Sequence, residues 1–282
     1  MKTIRLLYPD YVSGGLETYY FGAELLQYIL PQNLAQPLIR VDIVPPDGKE
    51  KVVTDGIYGR DEVAHGIDSA YEQITKEQPD KIITIGGNCL VSFAPFDYLH
   101  GKYDNTGILW IDAHPDVSVK ENGYPCAHAM VLGSLLGAGD PVMTDRMQNS
   151  FFHAQDLMYV GLQGIFDYQK KFLDKAGVNY RIQTKEFVPE NEIISFLNNH
   201  DHILVHFDID ALDEHLFHST YYANPAAEGD GSGGGRMTVE QVGQVISLAE
   251  KYSNVVGLTI AEYLPFDEEH LHKMLSGLKI FQ

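Results

Sequence analysis

The sequence predicts an α/β fold, three layers deep as α/β/α around a mostly parallel central sheet, and two observations carry that reading. Short runs rich in β-branched residues alternate along the chain with stretches of helical periodicity. The residues able to do chemistry stand directly behind the strand-like runs, where sheets of this kind place their sites.

In chain order the strand-like runs are Ile4 to Tyr8, Leu38 to Val44, Lys81 to Ile85, Gly107 to Ile111, Leu157 to Val160, Ile203 to Phe207 and Val255 to Ile260. Two of them, Ile108-Leu109-Trp110-Ile111 and Ile203-Leu204-Val205, are apolar throughout and read as buried strands. Between the runs, Glu62 to Glu77 and Glu190 to Asn199 have helical spacing, as do Val239, Val242, Val245, Ile246, Ala249 and Tyr252. A further helical stretch, Ala129 to Leu136, opens at His128. No Pro/Ser linker, internal repeat or charge block marks a boundary, so residues 1–282 read as one domain with 44% hydrophobic content for its core.

Asp112-Ala113-His114-Pro115-Asp116 follows the first apolar run, and His206-Phe207-Asp208-Ile209-Asp210 closes the second. Side chains at i, i+2 and i+4 share a face of extended backbone, so Asp112, His114 and Asp116 can converge, as can Asp208 and Asp210. An isolated strand-end aspartate is usually a solvated turn residue. Two such segments behind two apolar strands offer more oxygen and nitrogen ligands than one ion takes from protein. Bridging carboxylates with one imidazole suit a pair of divalent ions, and manganese fits the mixture better than thiolate-held zinc.

With Ile85-Gly86-Gly87-Asn88-Cys89, His128, and Glu262 ahead of Pro265, these segments stand in one order along the chain. Together they resemble the ureohydrolase family, which contains arginase, agmatinase and formimidoylglutamase. The resemblance covers most of the chain and implies an arginase-like fold, a binuclear centre and hydrolysis of a guanidino or amidino C-N bond by a metal-bridging hydroxide. On it, Asp112 to Asp116 corresponds to the DAHxD motif and Phe207 to Asp210 to FDxD. It implies that Asp116 orients the hydroxide, that His128 shuttles a proton, and that Glu262 receives the guanidinium group, whose planar donors suit a bidentate carboxylate. It also places substrate contacts near Ser118 and Asp167.

Several positions depart from the family pattern. Asn88-Cys89 stands where Asp-His is usual, so a thiol occupies a metal-ligand position. Asp112, Asp116, Asp208 and Asp210 balance two divalent ions; a hydroxide leaves the cluster one charge negative, and a Cys89 thiolate makes it two. Added negative charge raises the pKa of bound water, which opposes catalysis. Three outcomes stay open: zinc or iron at that position, a protonated Cys89 with weak occupancy, or a site adapted to a modified substrate. Cys89 read alone is a small buried hydrophobe at a strand end, and its position in the motif makes the ligand reading an equal alternative. Gln163-Gly164, Thr259 and Asp213-Glu214 also depart, which argues against a standard arginase; an arginine-like or N-hydroxyarginine-like substrate is the expectation.

Composition narrows the partners. A net charge of -19 disfavours nucleic acid and anionic membranes, although part of it is the acidic site itself. Met1 to Pro9 is too soon broken for a signal or membrane segment, so a cytoplasmic location is expected, with Cys89 and Cys126 reduced rather than paired. Gly229 to Gly234 formally contains G-x-G-x-x-G, but no strand precedes it, and a flexible site-lining loop is the better reading. The resemblance implies a homotrimer or homohexamer, with a reduced tie at His270 to Gln282. Two contrasting functions remain: a non-catalytic metal- or ligand-binding protein on the same fold, and a single-metal deacetylase-like hydrolase, which would not need both acidic segments.

Overall fold

A computed structural model describes residues 1–183, 187–227 and 231–281. Nine strands occur among them: β1 (Thr3–Tyr8), β2 (Leu38–Arg40), β3 (Val53–Thr54), β4 (Ile57–Tyr58), β5 (Lys81–Gly86), β6 (Thr106–Ile111), β7 (Leu157–Val160), β8 (His202–Asp208) and β9 (Asn254–Ala261). Seven form one sheet in the order β2-β1-β5-β9-β8-β6-β7, and every pairing in it is parallel. All seven strand-like runs of the sequence are in this sheet. The run from Leu38 shortens to Arg40, because past Val41, whose amide still bonds Leu7, Asp42 turns its amide to the Ser69 hydroxyl.

Alternate residues of the central strands enter separate cores, so the sheet is covered on both faces. Ile108, Trp110 and Leu204 pack with Val63, Ile67, Ile74, Phe96 and Leu99 from the helices Arg60–Glu77 and Phe93–Lys102. Leu109, Ile111, Ile203 and Val205 pack with Ile193, Leu197, Val242, Val245 and Ala249 from Glu190–Asn198 and Val239–Tyr252. The helix Val239–Tyr252 starts on a capping box, in which the Thr238 hydroxyl accepts from the Gln241 amide and the Gln241 side chain accepts from the Thr238 amide.

After β5 the chain crosses to β6, and β9 and β8 later fill the space between them. Four adjacent parallel strands, β5, β9, β8 and β6, therefore bring their carboxyl ends to one edge, the crevice where such sheets bind ligands. No helix among the described residues is long and apolar enough to cross a membrane.

Candidate metal centre and cleft

Each of those four strand ends delivers part of one cluster: Cys89 after β5, Glu262 after β9, Asp208 and Asp210 from β8, and Asp112, His114 and Asp116 after β6. The cluster lies in a cleft of about 400 Å³ that Cys89, His114, Asp116, His128, Asp208, Asp210 and Glu262 help to line.

Local backbone bonds aim the acids. Asp112 Oδ1 accepts from the His114 amide at 2.6 Å, and Oδ2 accepts from Trp110 Nε1 at 2.8 Å. Asp208 Oδ1 takes the Asp210 amide at 2.7 Å. His114 Nδ1 lies 3.0 Å from Asp210 Oδ2, while its Nε2 lies 3.0 Å from the Gly233 carbonyl and 3.1 Å from the Tyr222 hydroxyl. On the other side, Cys89 Sγ lies 2.8 Å from Asp208 Oδ2 and 3.5 Å from Glu262 Oε1. His128 Nδ1 lies 3.0 Å from the same Glu262 oxygen, and its Nε2 lies 3.0 Å from the Tyr124 hydroxyl. Asp116 and Glu262 hold left-handed backbone, φ 48° and 63°, a conformation that costs free energy for side chains with Cβ and persists where the surroundings enforce it.

The donor set fits cations. In one group, Cys89, Asp112, His206 and Asp208 each present a ligand atom within 4.8 Å of the others, and Asp112, His114 and Asp210 do so in a second. Asp208, Asp210 and Glu262 form a third. Asp116 Oδ2 and Asp210 Oδ1 are buried without a hydrogen-bond partner among the described residues, as is His206 Nε2. Buried carboxylate oxygens left unpaired are costly unless positive charge meets them.

Ionisation follows the same logic. Burial, reinforced by neighbouring carboxylates, pushes Asp112 and Asp208 well above the usual range and drives the Cys89 thiol up. Burial lifts Asp116 to about 7 although His128 and His114 pull against it. Asp210 goes the opposite way, because His114 outweighs burial. Burial works to lower His114 and His128, yet both rise, the first beside Asp210 and the second beside Glu262. His206, without such a partner, is pushed down to about 3 by burial.

The expected residues do not all arrive alike. Cys89, Asp112, His114, Asp208 and Asp210 enter the ligand groups; Asp116 lines the same cleft outside them. Ser118 is buried in the wall, its hydroxyl 3.2 Å from that of Tyr168. Asp167 is exposed at the start of the helix Asp167–Ala176, and Phe166, Tyr168 and Gln169 reach the cleft instead. His128 falls in a 3-10 turn, Ala127–Met130, ahead of the short helix Val131–Leu135. Cys89 and Cys126 are both free thiols. Gly229 and Asp230 lie outside the described residues, but Ser232 lines the cleft and Gly233 bonds His114.

His206 was missed. It belongs to the interior of a strand-like run, where its spacing of two from Asp208 was the available signal. Asn88 is explained by its partners rather than by metal: its side-chain amide donates to the Asp10 carbonyl and carboxylate at 3.0 and 3.1 Å and accepts from the Leu90 amide and the Ser13 hydroxyl.

The sequence model described as the Arginase family matches residues 39–280. Arginase from Entamoeba histolytica is 28% identical over 176 residues, covering 58% of this chain and 54% of that one. Agmatinase from Halalkalibacterium halodurans is 24% identical over 183 residues, covering 65% and 55%. The chain spans about half the length of the curated relatives it matches. Among solved structures, E. histolytica arginase in complex with L-ornithine superposes with a TM-score of 0.74 at 22% identity, over 94% of this chain and 91% of that one. Formimidoylglutamase from Bacillus subtilis gives 0.62 at 17%, over 94% and 79%. With its parallel sheet, its acidic strand ends and a match spanning most of its length, the chain belongs to the arginase family.

Proposed function

We propose that the chain is a metal-dependent hydrolase of a guanidino or amidino C-N bond. One observation carries the reading: two ligand groups share Asp112 at the end of four adjacent strands, beside the ion-paired His128 and Glu262. Two divalent ions held there, manganese at the oxygen-rich group and manganese, zinc or iron beside Cys89, would supply Lewis-acid activation of water.

The remaining work falls to side chains. Asp116 Oδ2, buried and without a partner among the described residues, is the acceptor suited to orient the attacking water. Glu262 exchanges His128 for the guanidinium or amidinium group, whose parallel donors match both carboxylate oxygens. His128, freed from Glu262 and still beside Tyr124, passes a proton to the departing amine. Tyr19, Tyr124, Tyr221 and Tyr222 line the approach and suit a planar cation. Among the described residues the lining holds no Lys or Arg, so a substrate carboxylate would meet neutral donors such as Ser118, Asn122 and Gln169. Arginine, N-hydroxyarginine and agmatine are the substrates to compare, the first supported by the L-ornithine complex of the E. histolytica arginase.

Metal content and urea release, measured on the same manganese-loaded preparation across a panel of guanidino compounds, test the proposal. Two ions per chain with turnover of a panel member support it; two ions with no turnover of any member overturn it. The closure of Cys89 on Asp208 at 2.8 Å favours a second reading, a non-catalytic protein that binds one ion or none, which the same measurement would reveal.

A further inference from the structure

Cys89 removes an imidazole from the centre, and a different strand offers one back. His206 precedes Asp208 by two residues on β8, so both side chains leave the same face of the sheet. The ring is fully buried, lies 3.6 Å from the Trp110 ring at an interplanar angle of 9°, and has Nδ1 2.8 Å from the Ser92 hydroxyl. The Ser92 contact fits the Nδ1-H tautomer, which leaves the lone pair on Nε2; that atom has no hydrogen-bond partner among the described residues and lies 3.9 Å from Asp112 Oδ2. Metal-bound histidines are commonly held in this way, with the second nitrogen fixed by a polar neighbour.

We infer that His206 is a metal ligand of this chain, completing with Cys89, Asp112 and Asp208 a closed four-ligand position at the floor of the cleft. The inference rests on the proposed metal centre and goes beyond it by making the two positions chemically unequal. At the tetrahedral angle, zinc-sulfur and zinc-nitrogen bonds of about 2.3 and 2.0 Å put the two ligand atoms about 3.5 Å apart. Ligand atoms within 4.8 Å of one another can therefore share one ion once side-chain shifts on the order of 1 Å close the set. Thiolate, imidazole and two carboxylates make a borderline-soft tetrahedral set for zinc or ferrous iron, with no position left for water. The Asp112, His114 and Asp210 group keeps a harder set with fewer protein ligands, so exchangeable water belongs on that side.

X-ray absorption on protein loaded with one equivalent of zinc tests this directly. Wild type should show one sulfur and one imidazole around zinc. His206→Gln should keep the sulfur and lose the imidazole, with zinc affinity reduced at least tenfold. His206→Asn, together with circular dichroism of both variants, separates ligand loss from misfolding, and the wild-type spectrum stands without any variant. Zinc bound through sulfur with no imidazole in wild type, or with an imidazole that both folded variants retain, overturns the role of His206 and leaves the metal centre standing. Zinc bound without sulfur overturns the floor position. Wild type that takes up neither zinc nor manganese overturns the metal centre itself.

Discussion

Cys89 Sγ and Asp208 Oδ2 lie 2.8 Å apart, and because burial and the acids around it hold the thiol protonated, the contact is a hydrogen bond from Cys89 to Asp208. A metal ion entering there must displace that proton. Manganese gains little from sulfur in return, whereas zinc or iron gains more. Cys89→His should therefore raise manganese affinity on the order of tenfold, about 1.4 kcal/mol, and raise urea release with it. Metal analysis after manganese dialysis checks the first part. A fall in occupancy would mean that the thiol is an adapted ligand rather than a weakened one.

Glu262 is held at φ 63° with His128 on one carboxylate oxygen, an arrangement that keeps an acceptor buried in the site close to Cys89. Glu262→Gln should lower kcat/KM for a guanidino substrate by about 10²- to 10³-fold while leaving metal content unchanged. His128→Asn should lower kcat by about 10²-fold with little change in KM, since its proposed task is proton transfer. If metal is lost from Glu262→Gln, the carboxylate is a ligand and the assigned role is wrong.

The metal-free protein should be sensitive to pH in a predictable direction. Asp116 titrates at about 7 in the fold against an ordinary value of 3.8, so the folded state binds the extra proton between those limits. Stability from this group is present at the acid end and declines as pH rises through the window. Asp116→Asn should flatten the slope of melting temperature against pH between about 4 and 7 relative to wild type. Manganese should release protons from wild type when added near pH 6, and release fewer from Asp116→Asn. An unchanged slope in the variant would show that Asp116 is ionised throughout.

The same acids explain what the sequence made legible. Period-two spacing behind apolar strands marked Asp112, His114, Asp208 and Asp210, because a parallel strand fixes both direction and depth of its last side chains. The hairpin of β3 and β4 carried a local signal that went unread: Asp55-Gly56, both at positive φ, is the pair favoured in a tight two-residue turn. His206 and Asp167 were harder to place for opposite reasons. A histidine inside a strand reads as core until the sheet order brings β5 beside β9 and Cys89 near β8. Asp167 was placed by resemblance alone, and helix geometry turns it outward while Tyr168 and Gln169 face the cleft.

Asn88 yields the prediction most at odds with the family pattern. Aspartate is usual there, yet here the Asn88 amide donates to both the carbonyl and the carboxylate of Asp10, and Ser13 bonds both residues. Asp10 is buried, and burial raises its pKa against the hydrogen bonds that lower it. Asn88→Asp would remove a donor and set a second acid against the first, at a cost of roughly 1–3 kcal/mol at neutral pH. The loss should shrink as pH falls, because one proton can then be shared between the two carboxyl groups. Gly87 leaves little room to relax, since a Cβ there would stand 1.9 Å from the Asp10 carbonyl oxygen, and its own carbonyl holds the Glu262 amide at 2.8 Å. Displacing this loop therefore disturbs Cys89 and Glu262 together. Urea denaturation at pH 5 and pH 8 should show the pH-dependent loss in Asn88→Asp, and the double variant with Cys89→His should bind manganese more weakly than Cys89→His alone. Equal stability at both pH values, or tighter manganese binding by the double variant, would mean that the Asp10 anchor is dispensable.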